Sequence, residues 1–395
     1  MKQALYKLPD GWEWLSLGQI TQKTENINPL KGGDKLWTYI DISSINKEKL
    51  MVSEPKEILG KDAPSRAKKQ IQRNDVIFAT TRPNLKNIAI LKSEYESPVA
   101  STGFCVLRAT KDVLPDYLFY FVTTELLQLQ IEPYVGGASY PAITDNNLRK
   151  ALIPIPSLVK QKRIVEKLDA LLTRIDTAID YLQQKNELAK QLFDSLLDVI
   201  FKNAIGEETS LTEVADFIGG SQPPKSKFSD TRQDGYVRLV QIRDYKSDNH
   251  VVYVNAKSTK KFCTKDDVMI GRYGPPVFQI LRGLDGAYNV ALMKAVPREG
   301  VLLKDYLYWF LQSPSIQNYV IGISQRAAGQ SGVNKAALEK YRITLPTLQK
   351  QNEAVDVIQA LVASMDKLKA EIESSISNLK SLKSSILDSA FKGKL

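Results

Sequence analysis

Two stretches of the chain repeat apolar residues in alternating steps of three and four. In the first, Val165, Leu168, Leu172, Ile175, Ile179, Leu182, Asn186, Ala189, Phe193, Leu196 and Ile200 share one track, and ten of the eleven are apolar. In the second, Val355, Ile358, Val362, Met365, Lys369, Ile372, Ile376, Leu379, Lys383, Ile386 and Ala390 give nine of eleven. A 3.5-residue period held for about five heptads predicts a coiled-coil seam rather than an ordinary core helix. Asn186, Lys369 and Lys383 interrupt it, as residues that set register or mark a change of partner face do. Neither 157–205 nor 347–392 contains Gly or Pro. Pro156 and Pro346 stand just before, and Gly206 and Gly393 just after, as start and stop signals. A helix of about 45 residues spans roughly 65–70 Å, more than the diameter of a domain of about 150 residues. Such helices must protrude from globular parts or separate them.

The two stretches are also copies of one another. At a shift of 190, Leu148 to Lys202 aligns with Leu338 to Lys392 without a gap, and 18 of 55 positions are identical. The matches include Pro156/Pro346, Leu158/Leu348, Lys160/Lys350, Gln161/Gln351, Val165/Val355, Asp176/Asp366, Asp198/Asp388 and Phe201/Phe391. Upstream the match is fainter and the shift drifts. Asp116-Tyr117-Leu118 against Asp305-Tyr306-Leu307 needs 189, Asp75-Val76 against Asp267-Val268 needs 192, and Ser16-Leu17 against Ser210-Leu211 needs 194. Drift records loop insertions and deletions, and so long a period is a duplicated domain, not a solenoid. Duplicated units with helices of equal length can pair about a pseudo-two-fold axis, as a homodimer would.

Outside the helices the pattern changes to short β-type runs, 38–42, 75–79, 236–240 and 267–270, bounded by Gly, Pro and Asn turns. Amphipathic helices are expected over 115–129 and 304–320. The reading is α+β: two pseudo-symmetric globular domains of mixed helix and strand, separated by two long antiparallel coiled-coil helices. Boundaries fall at 1–155, 156–205, 206–346 and 347–395. Helix pairing is expected through Val165, Leu168, Leu172, Ile175 and Ile179 on one helix and Val355, Ile358, Val362, Met365 and Ile372 on the other.

Composition removes most catalytic readings. The single histidine, His250, sits in a turn-like stretch and excludes paired-histidine metal motifs. Two cysteines, Cys105 and Cys263, cannot form a disulfide framework or a four-thiolate zinc site. No metal site is expected. A run apolar enough to cross a membrane is absent, as is the apolar core of a secretion signal, so a cytoplasmic protein is expected. Lys plus Arg is 54 against 44 acids, net +10, and the excess lies mainly in 1–155 (+3) and 206–346 (+5). That attracts phosphate backbones weakly and is common on plain soluble proteins too. An amino-methylating DNA methyltransferase needs an Asn/Asp-Pro-Pro-Tyr/Phe tetrapeptide. The Pro-Pro pairs at 223–224 and 275–276 follow Gln222 and Gly274, so that motif is missing. The glycine-rich stretches lack the Lys-Ser/Thr ending of a P-loop. No active site is expected.

What candidate chemistry there is lies in loops. Thr80-Thr81-Arg82-Pro83-Asn84-Leu85-Lys86-Asn87 follows one predicted strand, and Gly271-Arg272-Tyr273-Gly274-Pro275-Pro276 follows its counterpart. A second pair, 136–143 and 326–334, precedes the long helices. Arg reads guanine bidentately, Asn reads adenine, and Lys and Thr hold phosphates. Any one of these residues reads equally well as a solvated turn; the repetition favours a shared role. The DNA-contact candidates are Arg82, Asn84, Lys86 and Tyr140 in the first domain and Arg272, Tyr273, Arg326 and Gln330 in the second.

Taken in order, these residues resemble the specificity subunits of type I restriction–modification systems over essentially the whole chain. The resemblance rests on the opening Leu8-Pro9-Asp10-Gly11-Trp12-Glu13-Trp14, Arg82-Pro83-Asn84, Gly271-Arg272-Tyr273-Gly274 and Gly286-Ala287-Tyr288-Asn289-Val290-Ala291. It is strongest at the join Ile153-Pro154-Ile155-Pro156 to Gln161, repeated as Leu345-Pro346 to Gln351, and at the closing Phe391-Lys392-Gly393-Lys394-Leu395. Gly274-Pro275-Pro276-Val277 departs from the more glycine-rich loop of many relatives. The resemblance implies a non-catalytic subunit whose two target-recognition domains each read half of a bipartite double-stranded DNA sequence, with the helices as spacer. It implies two modification subunits as partners, which methylate adenine N6 with S-adenosylmethionine. Restriction/translocase subunits using ATP and Mg²⁺ can join them. No cofactor is expected in this chain itself. The competing readings are a divergent methyltransferase or nuclease, a coiled-coil scaffold without DNA binding, and the DNA reader of a related phage-defence modification system.

Overall fold

The computed structural model describes residues 6–324 and 332–395. It divides into two compact units, Met1–Leu182 with Glu373–Leu395, and Gln183–Ile372. The chain opens with β1 (Glu13–Ser16), α1 (Leu17–Ile20), β2 (Thr21–Gln22), β3 (Leu36–Ile40), the short pair β4 (Ile45–Asn46) and β5 (Met51–Val52), and β6 (Lys56–Leu59). There follow β7 (Ala67–Gln70), β8 (Val76–Ala79), β9 (Ile88–Ile90), β10 (Pro98–Ser101) and β11 (Phe104–Ala109). Then come α2 (Pro115–Val122), α3 (Glu125–Ile131), α4 (Asp145–Leu148), β12 (Leu152–Ile155) and the long helix α5 (Leu158–Lys202).

The second copy runs β13 (Glu207–Ser210), α6 (Leu211–Val214), β14 (Ala215–Gly219), β15 (Tyr236–Val240), β16 (Tyr253–Asn255) and β17 (Phe262–Cys263). It continues through β18 (Val268–Gly271), β19 (Gln279–Leu281), β20 (Gly286–Tyr288) and β21 (Leu292–Pro297). It ends with α7 (Lys304–Phe310), α8 (Pro314–Ser324), α9 (Lys335–Glu339), β22 (Arg342–Leu345) and α10 (Leu348–Phe391).

The duplication survives in three sheets, while the β4-β5 pair has no counterpart among the described residues of the second unit. The order β2-β11-β8-β9 in the first unit is repeated as β14-β21-β18-β19 in the second, β6-β3-β10-β7 as β16-β15-β20-β17, and β1-β12 as β13-β22. In each unit the central pair, β3 with β10 or β15 with β20, is parallel, while its outer neighbours are antiparallel. β8 shows how the layers form. All four of its residues are buried, and the period of two sends Val76 and Phe78 into a core with α2 and α5, and Ile77 and Ala79 into a core with the second sheet. β18 does likewise, with Val268 and Ile270 on the helix side and Met269 on the sheet side.

The helix expected over 115–129 is two helices. The Thr124 side chain accepts the Leu127 N–H at 3.2 Å and caps a fresh start at α3. The one expected over 304–320 is also two, because Pro314 lacks an N–H and opens α8 at its first position.

Each long helix is shared between the units. In the first, Ile164, Leu168, Leu172, Ile175 and Ile179 of α5 join Leu387, Ala390 and Phe391 of α10 in one core. In the second, Leu197 and Phe201 of α5 join Val355 and Ile358 of α10, with Val362 partly buried against them. Within the first unit the helices are antiparallel. Asp176 meets Lys383, and farther along α5, Tyr181 and Leu182 face an open furrow shared with Ser375, Asn378 and Leu379.

The seam differs in detail from a strict heptad. Val165 is partly buried and Ile164 buried; near the other end Leu197 and Phe201 are buried, and Leu196 and Ile200 only partly so. A helix of 3.6 residues per turn drifts about 20° per heptad from a 3.5 repeat, close to one residue over five heptads. In α10, Lys369 is exposed, and Leu368 takes its place between partly buried Met365 and buried Ile372. Past the end of α5, Gly206 stands where a Cβ would lie 2.0 Å from the Leu345 carbonyl oxygen, and Gly393 follows α10 at φ +69°. Among the described residues no helix is long and apolar enough to cross a membrane.

Candidate nucleic-acid interface

In the first unit the hairpin loop between β8 and β9 and the loop before α4, far apart in sequence, are sewn together by their backbones. The Arg82 N–H donates to the Pro141 carbonyl at 2.6 Å and the Ile143 N–H to the Thr80 carbonyl at 2.9 Å. Bridges join Thr81 to Ala142 and Gly136 to Ala142. Arg82 itself sits in the left-handed region, φ 49° and ψ 58°, a conformation a non-glycine residue adopts at a cost of about 1–2 kcal/mol. That turn lays its guanidinium over the Tyr140 ring, 5.4 Å from the centroid. Tyr140 is 78% exposed. Cation and ring therefore sit together on the surface, with the fork of donors free to face a phosphate or a base edge.

The second unit repeats the arrangement with different residues. The Val333 N–H donates to the Arg272 carbonyl at 2.9 Å, and Tyr273 bridges to Gly332. The Arg272 guanidinium lies 5.2 Å from the centroid of the Tyr273 ring. Here the ring comes from the hairpin itself rather than from the opposite loop. A Cβ on Gly332 would approach Tyr273 to 2.9 Å, so glycine makes room for the ring. Arg272 is less free than Arg82, since its Nη1 donates to the Val290 carbonyl at 3.4 Å.

Both hairpins are launched from an anchored aspartate. Asp75, just before β8, accepts the Gln72 N–H at 2.8 Å and a two-pronged pair from Arg108 at 2.9 and 2.8 Å. Its hydrogen bond to the Arg108 guanidinium raises the arginine's affinity for its proton. Asp267, before β18, accepts the Thr264 N–H at 2.9 Å and lies 3.2 Å from both Lys294 and Lys304. Burial pushes the Asp267 carboxyl up, but the Thr264 N–H and the two lysines outweigh it and hold it below the usual carboxylate range.

The nominated residues are thus placed unequally. Arg82 with Tyr140, and Arg272 with Tyr273, are brought together. Asn84 is exposed in the short turn after Arg82. Lys86 is turned inward, its ammonium 2.6 Å from Glu125 and 3.1 Å from the Thr123 carbonyl, where it closes the junction of α2 and α3. Arg326 and Gln330 lie outside the described residues. Reading the sequence singled out no residue that ties these domains to the helices, yet Gln161, Gln351, Tyr120 and Asp198 all do so. Tyr120 donates to Asp169 of α5, and Asp198 of α5 accepts the Ser315 N–H at 2.9 Å. The signal was present in the identity of the two glutamines across the duplication.

With the geometry established, comparison with known proteins gives a consistent answer. The family model described as "Type I restriction modification DNA specificity domain" matches twice, over residues 9–190 and 206–378. The chain is similar to the type I restriction enzyme StySPI specificity subunit of Salmonella potsdam, 22% identical, covering 98% of this chain and 90% of that protein. It is similar to the EcoKI specificity subunit of Escherichia coli K12 at 23% identity, with the same coverage. Among solved structures, a chain from work on complex assembly and conformational transition of the type I R-M system is 31% identical with a TM-score of 0.80, covering 99% of this chain and 100% of that one. The HsdS subunit from Thermoanaerobacter tengcongensis is 32% identical with a TM-score of 0.55, covering 100% of each chain.

Proposed function

The chain belongs to the family of type I restriction–modification specificity subunits, and on that premise we propose that it is a non-catalytic reader of a bipartite, asymmetric double-stranded DNA target. Recognition is assigned to residues 1–155 and 206–346, each reading one half-site. The long helices, within 156–205 and 347–395, set the gap between half-sites. They also dock two modification subunits, which carry S-adenosylmethionine and adenine methylation, and restriction subunits, where present, bring ATP and Mg²⁺. Exposed apolar side chains on the helices support the docking role: Tyr181 and Leu382 in the first unit, Leu188, Leu192 and Val199 in the second.

One observation carries the reading. Two domains of the same strand order each present an arginine against a tyrosine ring, at the same hairpin and beside the same second loop. Duplicated topology supplies the shared frame, and diverged loop sequences supply two different readings. Arg82, Asn84 and Tyr140 are assigned to one half-site, and Arg272 and Tyr273 to the other. Lys86 is left to its structural pair.

The reading is tested by selecting duplexes from a random-sequence library with the chain bound to its modification subunits. Two short conserved blocks around a gap of constant length are expected. A single continuous block, or enrichment without sequence preference, would contradict it.

A further inference from the structure

Gln161 and Gln351 are both fully buried in the first turn of their helices, and their hydrogen bonds are the same. Gln161 Oε1 accepts the Leu114 N–H at 2.9 Å, and its Nε2 donates to the carbonyls of Asp112 and Pro156, both at 3.0 Å. Gln351 Oε1 accepts the Leu303 N–H at 2.8 Å, and its Nε2 donates to the carbonyls of Val301 and Pro346, both at 2.9 Å. Every partner is a backbone group. The pattern therefore persists although Asp112 in one copy corresponds to Val301 in the other.

A buried amide with all its partners in place adds direction to packing. Each glutamine joins three segments: the long helix, the chain entering it, and the residue that opens α2 or α7. Those short helices in turn pack on β8 and β18, the strands that launch the Arg82 and Arg272 loops. A continuous set of contacts inside each unit thus runs from the long helix through the glutamine to the reading loop.

We infer that Gln161 and Gln351 are positioning residues for half-site spacing, holding each recognition domain at one orientation on its own helix. The inference rests on the proposed bipartite reading. One base pair advances about 3.4 Å along DNA, so a domain free to shift by that amount on its helix would accept a gap one pair longer or shorter. None of their hydrogen bonds reaches the Arg82 or Arg272 loop, so they act on the gap and not on the bases read.

The test uses the full chain with its modification subunits and duplexes carrying the preferred half-sites at the native gap and at gaps one pair shorter or longer. Gln161→Met and Gln351→Met keep the side-chain length and remove the amide. Each is expected to keep the half-site sequences and to lower the preference for the native gap about tenfold, comparable to one lost buried hydrogen bond. An unchanged gap preference in a folded Gln161→Met protein overturns the inference, as does equal weakening at all gaps. Melting temperatures separate folding from positioning. If the Met variants do not fold, Gln161→Asn and Gln351→Asn, which keep the amide but cannot span all three partners, decide between the same outcomes. A wild-type protein with no gap preference would instead remove the bipartite reading itself.

Discussion

Lys383 of α10 places its ammonium 2.7 and 2.8 Å from the two carboxylate oxygens of Asp176 on α5. The lysine stands in the apolar track of its helix, and the pair accounts for its presence: it fixes which turn of one helix faces which turn of the other in the first unit. A charged residue at a seam position trades stability for register. Both side chains keep solvent contact, Asp176 more than Lys383, so the pair contributes modestly. A double-mutant cycle with Lys383→Met and Asp176→Asn is expected to give a coupling of about 0.5–1 kcal/mol that shrinks at high salt. Coupling above about 3 kcal/mol, or none at low salt, would contradict this assignment.

Phe391, at the end of α10, packs against Tyr117 and Phe121 with ring centroids 5.0 and 5.4 Å away. Phe201, at the end of α5, does the same with Tyr306 and Phe310 at 5.1 and 5.4 Å. Each aromatic core is therefore completed by a helix end from the other repeat. Phe391→Ala is expected to cost about 3–5 kcal/mol, confined to the first unit. Hydrogen exchange should show lost protection in 115–122 and retained protection in 304–310. The reverse pattern is expected for Phe201→Ala, and equal loss in both segments for either variant would contradict the division.

Arg82→Ala should relax or weaken one half-site and leave the other intact, as read by selection from a library. Equal loss on all sequences would make Arg82 a phosphate contact instead. Tyr140→Ala, which removes the ring under the guanidinium, is expected to have the same direction and a smaller effect.

The depressed carboxyl of Asp267 ties the second unit to pH. A carboxylate whose folded pKa is lowered contributes stability that is complete above its unfolded value of about 3.9 and is lost as pH falls through the folded value. Asp267→Asn should therefore lower the urea midpoint at pH 7, and the difference from wild type should narrow on going below about pH 4. A difference that stays constant with acidification would show that the ionised form is not what stabilises the β18 hairpin.

Much of the architecture was legible because it follows from period and repetition. The long helices are written in an apolar track without Gly or Pro, and the duplication in ungapped identity from Leu148 to Lys202. The seam's exact track was less legible, because 3.5 and 3.6 residues per turn diverge by a residue over α5, and Phe201 rather than Ile200 reaches the core. The breaks inside 115–129 and 304–320 were missed although Thr124 and Pro314 both signal them. At the candidate site, loop composition pointed to Arg82 and Tyr140 separately. Their juxtaposition depends on the Arg82–Pro141 and Ile143–Thr80 backbone bonds, which no local pattern encodes. Lys86 reads as a DNA contact in sequence and as a partner of Glu125 in space, since an exposed-looking lysine says nothing about which helix packs beside its loop.

Whether this chain gives a modification complex a two-part DNA address is decided by mapping methylated adenines in the genome of cells expressing it with its modification subunit. Methyladenine is expected only in a split motif, two short half-sites around a constant gap, with Arg82→Ala altering one half alone. No new methylation from a folded, assembled complex, or methylation at an unbroken motif unaffected by Arg82 and Arg272 substitutions, would contradict it.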